Sequence, residues 1–188
     1  QVAQTLARIF PGVYDLLKRE PMWSLEVQSA VKRGLLQAID EKIAVKEAHR
    51  SLSYALTDER NWPEATRHFK EALSYQREIS DRDYIQLGRL YLNNDSAKES
   101  TVSFIRALTI SPDKEKSLSA ITHIFDNKNH QNEFSQFYKE IENHFFLSPE
   151  MQIIAAKKFI DLKQLDKARR ILTVVNDHRP KAGAYYWL

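Results

Sequence analysis

The chain has 188 residues, 43% of them hydrophobic, enough for a substantial core. Its 28 Lys and Arg against 25 Asp and Glu leave a formal charge of +3, without the dense basic clustering usual in nucleic-acid binders. Cysteine is absent, which excludes disulfides, thiolate catalysis and Cys-based zinc sites, and the scarcity of Gly (4) and Pro (6) favours helix throughout.

Residues 1–45 read as a helical segment. Val2, Leu6, Ile9 and Phe10 share one helical face, and Pro11-Gly12 ends it. A short amphipathic piece at 13–20 is halted by Pro21. From Trp23 to about Ile39, apolar residues recur at Leu25, Val27, Ala30, Val31, Leu35, Ala38 and Ile39. Residues 1–45 read either as one degenerate repeat plus half of another or as a packing segment against a missing neighbour.

From residue 46 the pattern becomes regular. In 46–80, Leu52, Ser53 and Leu56 form one stripe, and Ala65, Phe69 and Ala72 a second. Pro63 sits in the first turn of the second helix, where its missing N–H costs nothing. In 81–114, Tyr84, Leu87, Gly88 and Tyr91 share a face, a break falls at 93–96, and Ser100, Phe104 and Ala107 share the next. Ser111-Pro112 closes that unit. In 115–148, Leu118, Ile121 and Phe125 keep the first stripe, but Thr122 stands in for Gly88. Phe134, Tyr138 and Ile141 fill the second, and such large residues are expected to push the paired helices apart; a polar turn is expected at 127–132. In 149–182, Ala155, Ala156 and Phe159 are followed by Leu165, Ala168, Leu172 and Val175, and Pro180 falls where Pro112 falls. Residues 183–188 read as the start of a further first helix, cut short.

The order aromatic, Leu, Gly, Tyr, small, aromatic, Ala, Pro at 81–114 resembles the 34-residue tetratricopeptide repeat at eight positions, with Ser100 where Ala is usual. The resemblance is strongest over 46–114 and 149–180. It implies an all-α fold, a right-handed superhelical solenoid of antiparallel helix hairpins, with first helices lining a concave groove and second helices facing outward. The implied array runs over 46–188, as 46–80, 81–114, 115–148, 149–182 and the truncated 183–188.

The sequence offers no Gly-rich phosphate loop, no HExxH and no Gly-x-Ser-x-Gly. None of its six histidines has the i, i+4 spacing of a helical metal pair, so they read as solvated or interface residues. A non-enzyme without cofactor or metal is expected. Trp62 and Trp187 read as core aromatics, and Trp23 as a packing or contact residue. The resemblance implies binding of a peptide or helix of another protein in the groove, with Arg50, Tyr54, Arg82, Gln86, Arg89, Asn93, Lys116 and His123 as candidate contacts. Across the whole groove, charge balances. Its middle carries Arg82, Arg89 and Lys116 against Asp126. Arg50, Tyr54 and Gln86 occupy the positions at which chaperone-binding relatives place Lys, Asn and Asn, which argues against capture of a C-terminal carboxylate.

Two alternatives remain at this level. One is an RNA- or polyanion-binding array, suggested by a pI near 9.0. The other is a regulatory domain of a bacterial envelope or polysaccharide secretion system. No run approaches 18 apolar residues, so no transmembrane segment is expected, and cytoplasm and periplasm are both compatible. Gln1 at the start and an apolar run at the end are expected of a fragment, whose stacking faces would be open to end-to-end self-association.

Overall fold

The computed structural model describes residues 2–20, 23–126 and 130–178, without the side chains of 177 and 178. Among them there is no strand. The elements are α1 (Val2–Ile9), a 3-10 turn (Pro11–Val13), α2 (Tyr14–Leu17), α3 (Leu25–Asp40), α4 (Val45–Asp58), α5 (Trp62–Ser74), α6 (Asp81–Asn93), α7 (Ala97–Ile110), α8 (Lys114–Ile124), α9 (Gln131–His144), α10 (Pro149–Asp161) and α11 (Leu165–His178). Pro21, residues 127–129 of the polar turn, Pro180 and the helix expected at 183–188, with its Tyr185, Tyr186 and Trp187, lie outside the described residues.

The chain divides into two units. The first holds residues up to 79 together with 90–96; the second holds 80–89 and the described residues from 97 onward.

Local chemistry sets where the helices begin and end. Ser24 caps α3 by accepting from Val27 N at 3.3 Å, Asp113 caps α8 from Lys116 N at 2.9 Å, and Ser148 caps α10 from Met151 N at 3.1 Å. Four helices close in one way. Lys42, Arg60, Asp95 and Lys163 have φ of 58°, 57°, 54° and 59°. The next residue's N–H reaches back five residues in each case: Ile43 to Ala38, Asn61 to Leu56, Ser96 to Tyr91 and Gln164 to Phe159, all at 2.8–2.9 Å. These are Schellman closures with a non-glycine residue in the left-handed position, which costs about 1 kcal/mol each and satisfies two otherwise orphaned carbonyls.

In the first unit, α1 packs along α3, where a Cβ added to Gly34 would meet the Gln4 carbonyl oxygen at 2.2 Å. Gln4 donates to Gln37 at 3.2 Å, and Arg8 clasps both oxygens of Glu41 at 3.2 and 3.0 Å. Val2, Leu6, Ile9 and Phe10 stay largely exposed, and Ala7 is the buried residue of α1. Trp23 packs edge-on against Tyr14, with centroids 5.5 Å apart. In the α4–α5 hairpin, Ser53 is fully buried and donates to the Ala65 carbonyl at 2.7 Å.

The second unit repeats that contact with donor and acceptor helices exchanged. Ser100, on the second helix, donates to the Gly88 carbonyl, on the first, at 2.9 Å. Ser100 therefore replaces the usual Ala for a reason: its hydroxyl is consumed in the helix crossing. From α7 to α10 the core is aromatic. Phe104, Phe125, Phe134, Phe137, Tyr138 and Phe159 are all buried, with ring centroids 4.8–6.3 Å apart, mostly edge-on or tilted. The large residues at 115–148 are thus members of one packed cluster. Ala155, Ala156, Ala168, Leu172 and Val175 are buried as their spacing predicts, whereas Leu25 and Leu165, placed on the same stripes, are 79% and 60% exposed. Each is the first residue of its helix, beyond the reach of the packing partner.

Gly88 carries a testable constraint. A methyl there would sit 2.4 Å from Phe104 Cε1, and Phe104 is wedged against Phe125 and Phe137. Ala gains about 1 kcal/mol of helix propensity over Gly, and overpacking costs roughly 1–3 kcal/mol. Gly88→Ala is expected to lower the urea midpoint, and adding Phe104→Leu to recover part of the loss; a Gly88→Ala chain more stable than the parent would show the crossing to be loose.

Candidate functional site

The first helices of the hairpins carry the residues singled out for binding. In the first unit, Arg50 is half-buried on α4, its guanidinium 5.3 Å from the Phe69 ring centroid. Tyr54, one turn on and also half-buried, packs on the same ring at 6.4 Å. Both therefore divide their surface between the hairpin and the open face. Asn93, the last residue of α6, is half-buried. Asp58, the last residue of α4, accepts from Tyr14 Oη at 2.5 Å and from Lys18 Nζ at 2.6 Å. Burial, followed by that hydrogen bond, drives the Tyr14 phenol pKa upward.

The hairpin also holds a buried histidine pair that periodicity alone did not reveal. His49 Nδ1 and His68 Nδ1 are 2.7 Å apart, and both residues are buried. Arg67 Nη2 lies 2.9 Å from His68 Nε2, and a guanidinium can only donate. His68 Nε2 must then accept, so His68 carries its proton on Nδ1 and donates it to His49 Nδ1. Both rings are neutral in this arrangement. Burial and then the Arg67 charge lower His68 to about 4, and burial lowers His49 as well.

In the second unit, Arg82, Gln86 and Arg89 recur at four and three along α6, so they share a face. Arg82 and Arg89 are exposed and Gln86 is half-buried. On α8, Lys116 and His123 are both exposed, two turns apart. Asp126, the acid of this stretch, receives a hydrogen bond from Lys158 Nζ, and His123 Nδ1 lies 3.7 Å from its other oxygen. The Lys158 bond, above all, holds the Asp126 carboxyl below the usual carboxylate range. Lys158 itself is buried on α10, its side chain only 5% exposed. At the start of α6, Asp81 Oδ2 accepts from Ser111 and Ser117, each at 3.0 Å. Burial raises that carboxyl, and the two hydroxyl bonds, with help from the Arg82 backbone and charge, bring it below its ordinary value. Asp81 and Asp126 thus each accept hydrogen bonds within this unit, and Arg82, Arg89 and Lys116 are exposed.

Lys158 and the histidine pair did leave signals in the sequence. Lys158 is a charge set inside the stripe Ala155, Phe159, Leu162, and His49 stands where the repeat expects an aromatic. Among the described residues no group of three or more His, Cys, Asp or Glu could hold a metal, and no helix is long and apolar enough to cross a membrane.

Helix hairpins with small residues at the crossing, closed by recurring left-handed turns, define a fold of the tetratricopeptide-repeat type. Among solved structures the chain is similar to YrrB, described as a tetratricopeptide-repeat protein with an unusual peptide-binding site. The TM-score is 0.52 and the identity 14%, over 94% of this chain and 89% of that one. No family model matches the chain, and no curated protein matches it in sequence.

The histidine pair predicts a pH dependence. Unfolded histidine takes up a proton near pH 6.5, whereas His68 in the fold does so only at about 4. Between these values the unfolded chain binds more protons, so stability present above pH 6.5 is lost as pH falls, by on the order of 2–3 kcal/mol. Urea midpoints at pH 7.5 and 4.5 are expected to differ more for the parent than for His68→Phe; equal differences would mean that the pair is not held neutral.

Proposed function

We propose that the chain is a non-catalytic protein-interaction scaffold that binds a peptide or helical segment of a partner on the face of its first helices. One observation carries this reading: on a tetratricopeptide-repeat-type fold, α6 and α8 present exposed Arg82, Arg89 and Lys116 while Asp81 and Asp126 are held by internal hydrogen bonds. A surface of that kind favours an acidic segment, with Gln86 able to bond its backbone. The similarity to a protein described as peptide-binding agrees with this. Arg50, Tyr54 and Asn93 offer a separate contact stretch in the first unit, and His123 a further one on α8. Long-range attraction by the arginines would contribute association rate and specificity more than affinity.

Arg82→Glu combined with Arg89→Glu is expected to reduce partner capture in a pull-down at least tenfold without changing the circular dichroism spectrum, because both side chains are exposed. Unchanged capture would remove this face from the account. The competing reading as an RNA or polyanion binder is tested by fluorescence anisotropy with single-stranded RNA over a salt series. No binding at low salt is expected, and tight, steeply salt-dependent binding would replace the peptide reading.

A further inference from the structure

The outward helices of the second unit carry a surface that the first-helix reading does not use. Between α7 and α9 lies an open cleft of about 550 Å³, within the size range of ligand clefts, roughly 300–1,000 Å³. Val102, 50% exposed, and the half-buried Ile105 give it apolar contact surface. Its charges are sorted by helix. Lys98 and Arg106 come from α7, Glu133 and Glu140 from α9. Arg106 lies over the Tyr84 ring at 5.9 Å and Glu140 accepts from Gln136 at 2.8 Å, so neither is drawn across the cleft. Glu133 also has a carboxylate oxygen, Oε2, shut off from solvent with no hydrogen-bond partner. Leaving a buried carboxylate oxygen unpaired is unfavourable. Rotation about the soft terminal torsion of the side chain would turn it toward a donor arriving in the cleft.

The spacing indicates the shape of that occupant. Lys98 and Arg106 are eight residues apart and Glu133 and Glu140 seven, close to two helical turns in each wall, or about 10–12 Å. A helix lying in the cleft repeats its own side chains on the same interval. Phosphate-rich ligands and anionic membranes would meet the two glutamates and be repelled. We propose that this cleft docks an amphipathic helix of a partner protein. Its apolar ridge rests on Val102 and Ile105, acidic residues on one edge face Lys98 and Arg106, and a basic residue on the other edge reaches Glu133. Because α7 and α9 are second helices, this site is independent of the first-helix face.

The test uses two fluorescein-labelled helical peptides with Leu at three-four spacing, one with Glu along one edge and Arg along the other, the second with Arg along both edges. Fluorescence anisotropy with the full chain is expected to show at least a tenfold preference for the first, whose Glu edge meets Lys98 and Arg106. Val102→Glu, on an exposed position, is expected to weaken that binding tenfold or more, and Lys98→Glu with Arg106→Glu to shift the preference to the second peptide. Arg82→Glu with Arg89→Glu should leave it unchanged, which separates failure here from failure of the first-helix reading. Equal affinity for the two peptides, no binding of either, or indifference to Val102→Glu would overturn the proposal. So would a Val102-dependent dimer on size exclusion, which would make a second copy of the chain the occupant.

Discussion

Two helices can approach closely along a crossing only if the side chains there are small, a hydrogen, a methyl or a hydroxymethyl, and the packing of the hairpins at 46–114 depends on that requirement. In the α4–α5 hairpin the two crossing residues are Ser53 and Ala65; in the α6–α7 hairpin they are Gly88 and Ser100. Serine occupies the first helix in one and the second in the other. Its hydroxyl crosses to the facing carbonyl both times, at 2.7 and 2.9 Å. The hairpins therefore keep a contact while exchanging which helix supplies it. A hydroxyl buried there without its carbonyl would be costly, so neither serine is a free substitute for alanine.

Where small residues are absent, aromatic rings take over. Thr122 and Phe134 stand at the crossing positions of 115–148, and Phe134 lies 5.3 Å from Phe125 and 4.8 Å from Phe159 between ring centroids. Thr122 turns its hydroxyl back to the Ser119 carbonyl at 2.8 Å, within its own helix. The second unit thus combines a close crossing at Gly88 with a ring-filled interior further along. Phe104, closed against Gly88 on one side and Phe125 and Phe137 on the other, joins the two packing styles.

The apolar stripes were legible because alanine, leucine and phenylalanine recur at three-four spacing and bury as such spacing dictates: Leu52, Phe69, Phe104, Leu118, Phe159 and Leu172 all do. A single stripe was too narrow for α6, where Leu90 and Leu92 are buried outside the face drawn through Leu87 and Tyr91. The turns were legible as breaks but not in their geometry, since Lys42, Arg60 and Lys163 carry no glycine signature. Of the candidate contacts, exposure of Arg82, Arg89, Lys116 and His123 followed from helical phase. The partial burial of Arg50 and Tyr54 did not, because it depends on Phe69, fifteen or more residues away. Lys158 and His49 each stand out against their own stripes, but which distant residue each one pairs with, Asp126 and His68, has no local pattern to betray it.

The closing turns have a further consequence for turnover of the protein. Three of the four left-handed residues, Lys42, Arg60 and Lys163, are the basic side chains after which trypsin-like proteases cut. Such enzymes require an extended segment, and a residue held at positive φ between two backbone hydrogen bonds is the opposite of one. Cleavage at these sites must wait for the helix end to unwind, so its rate would report the local opening of each hairpin separately. The residues that close the helices thereby act as built-in gauges of how often each one comes apart.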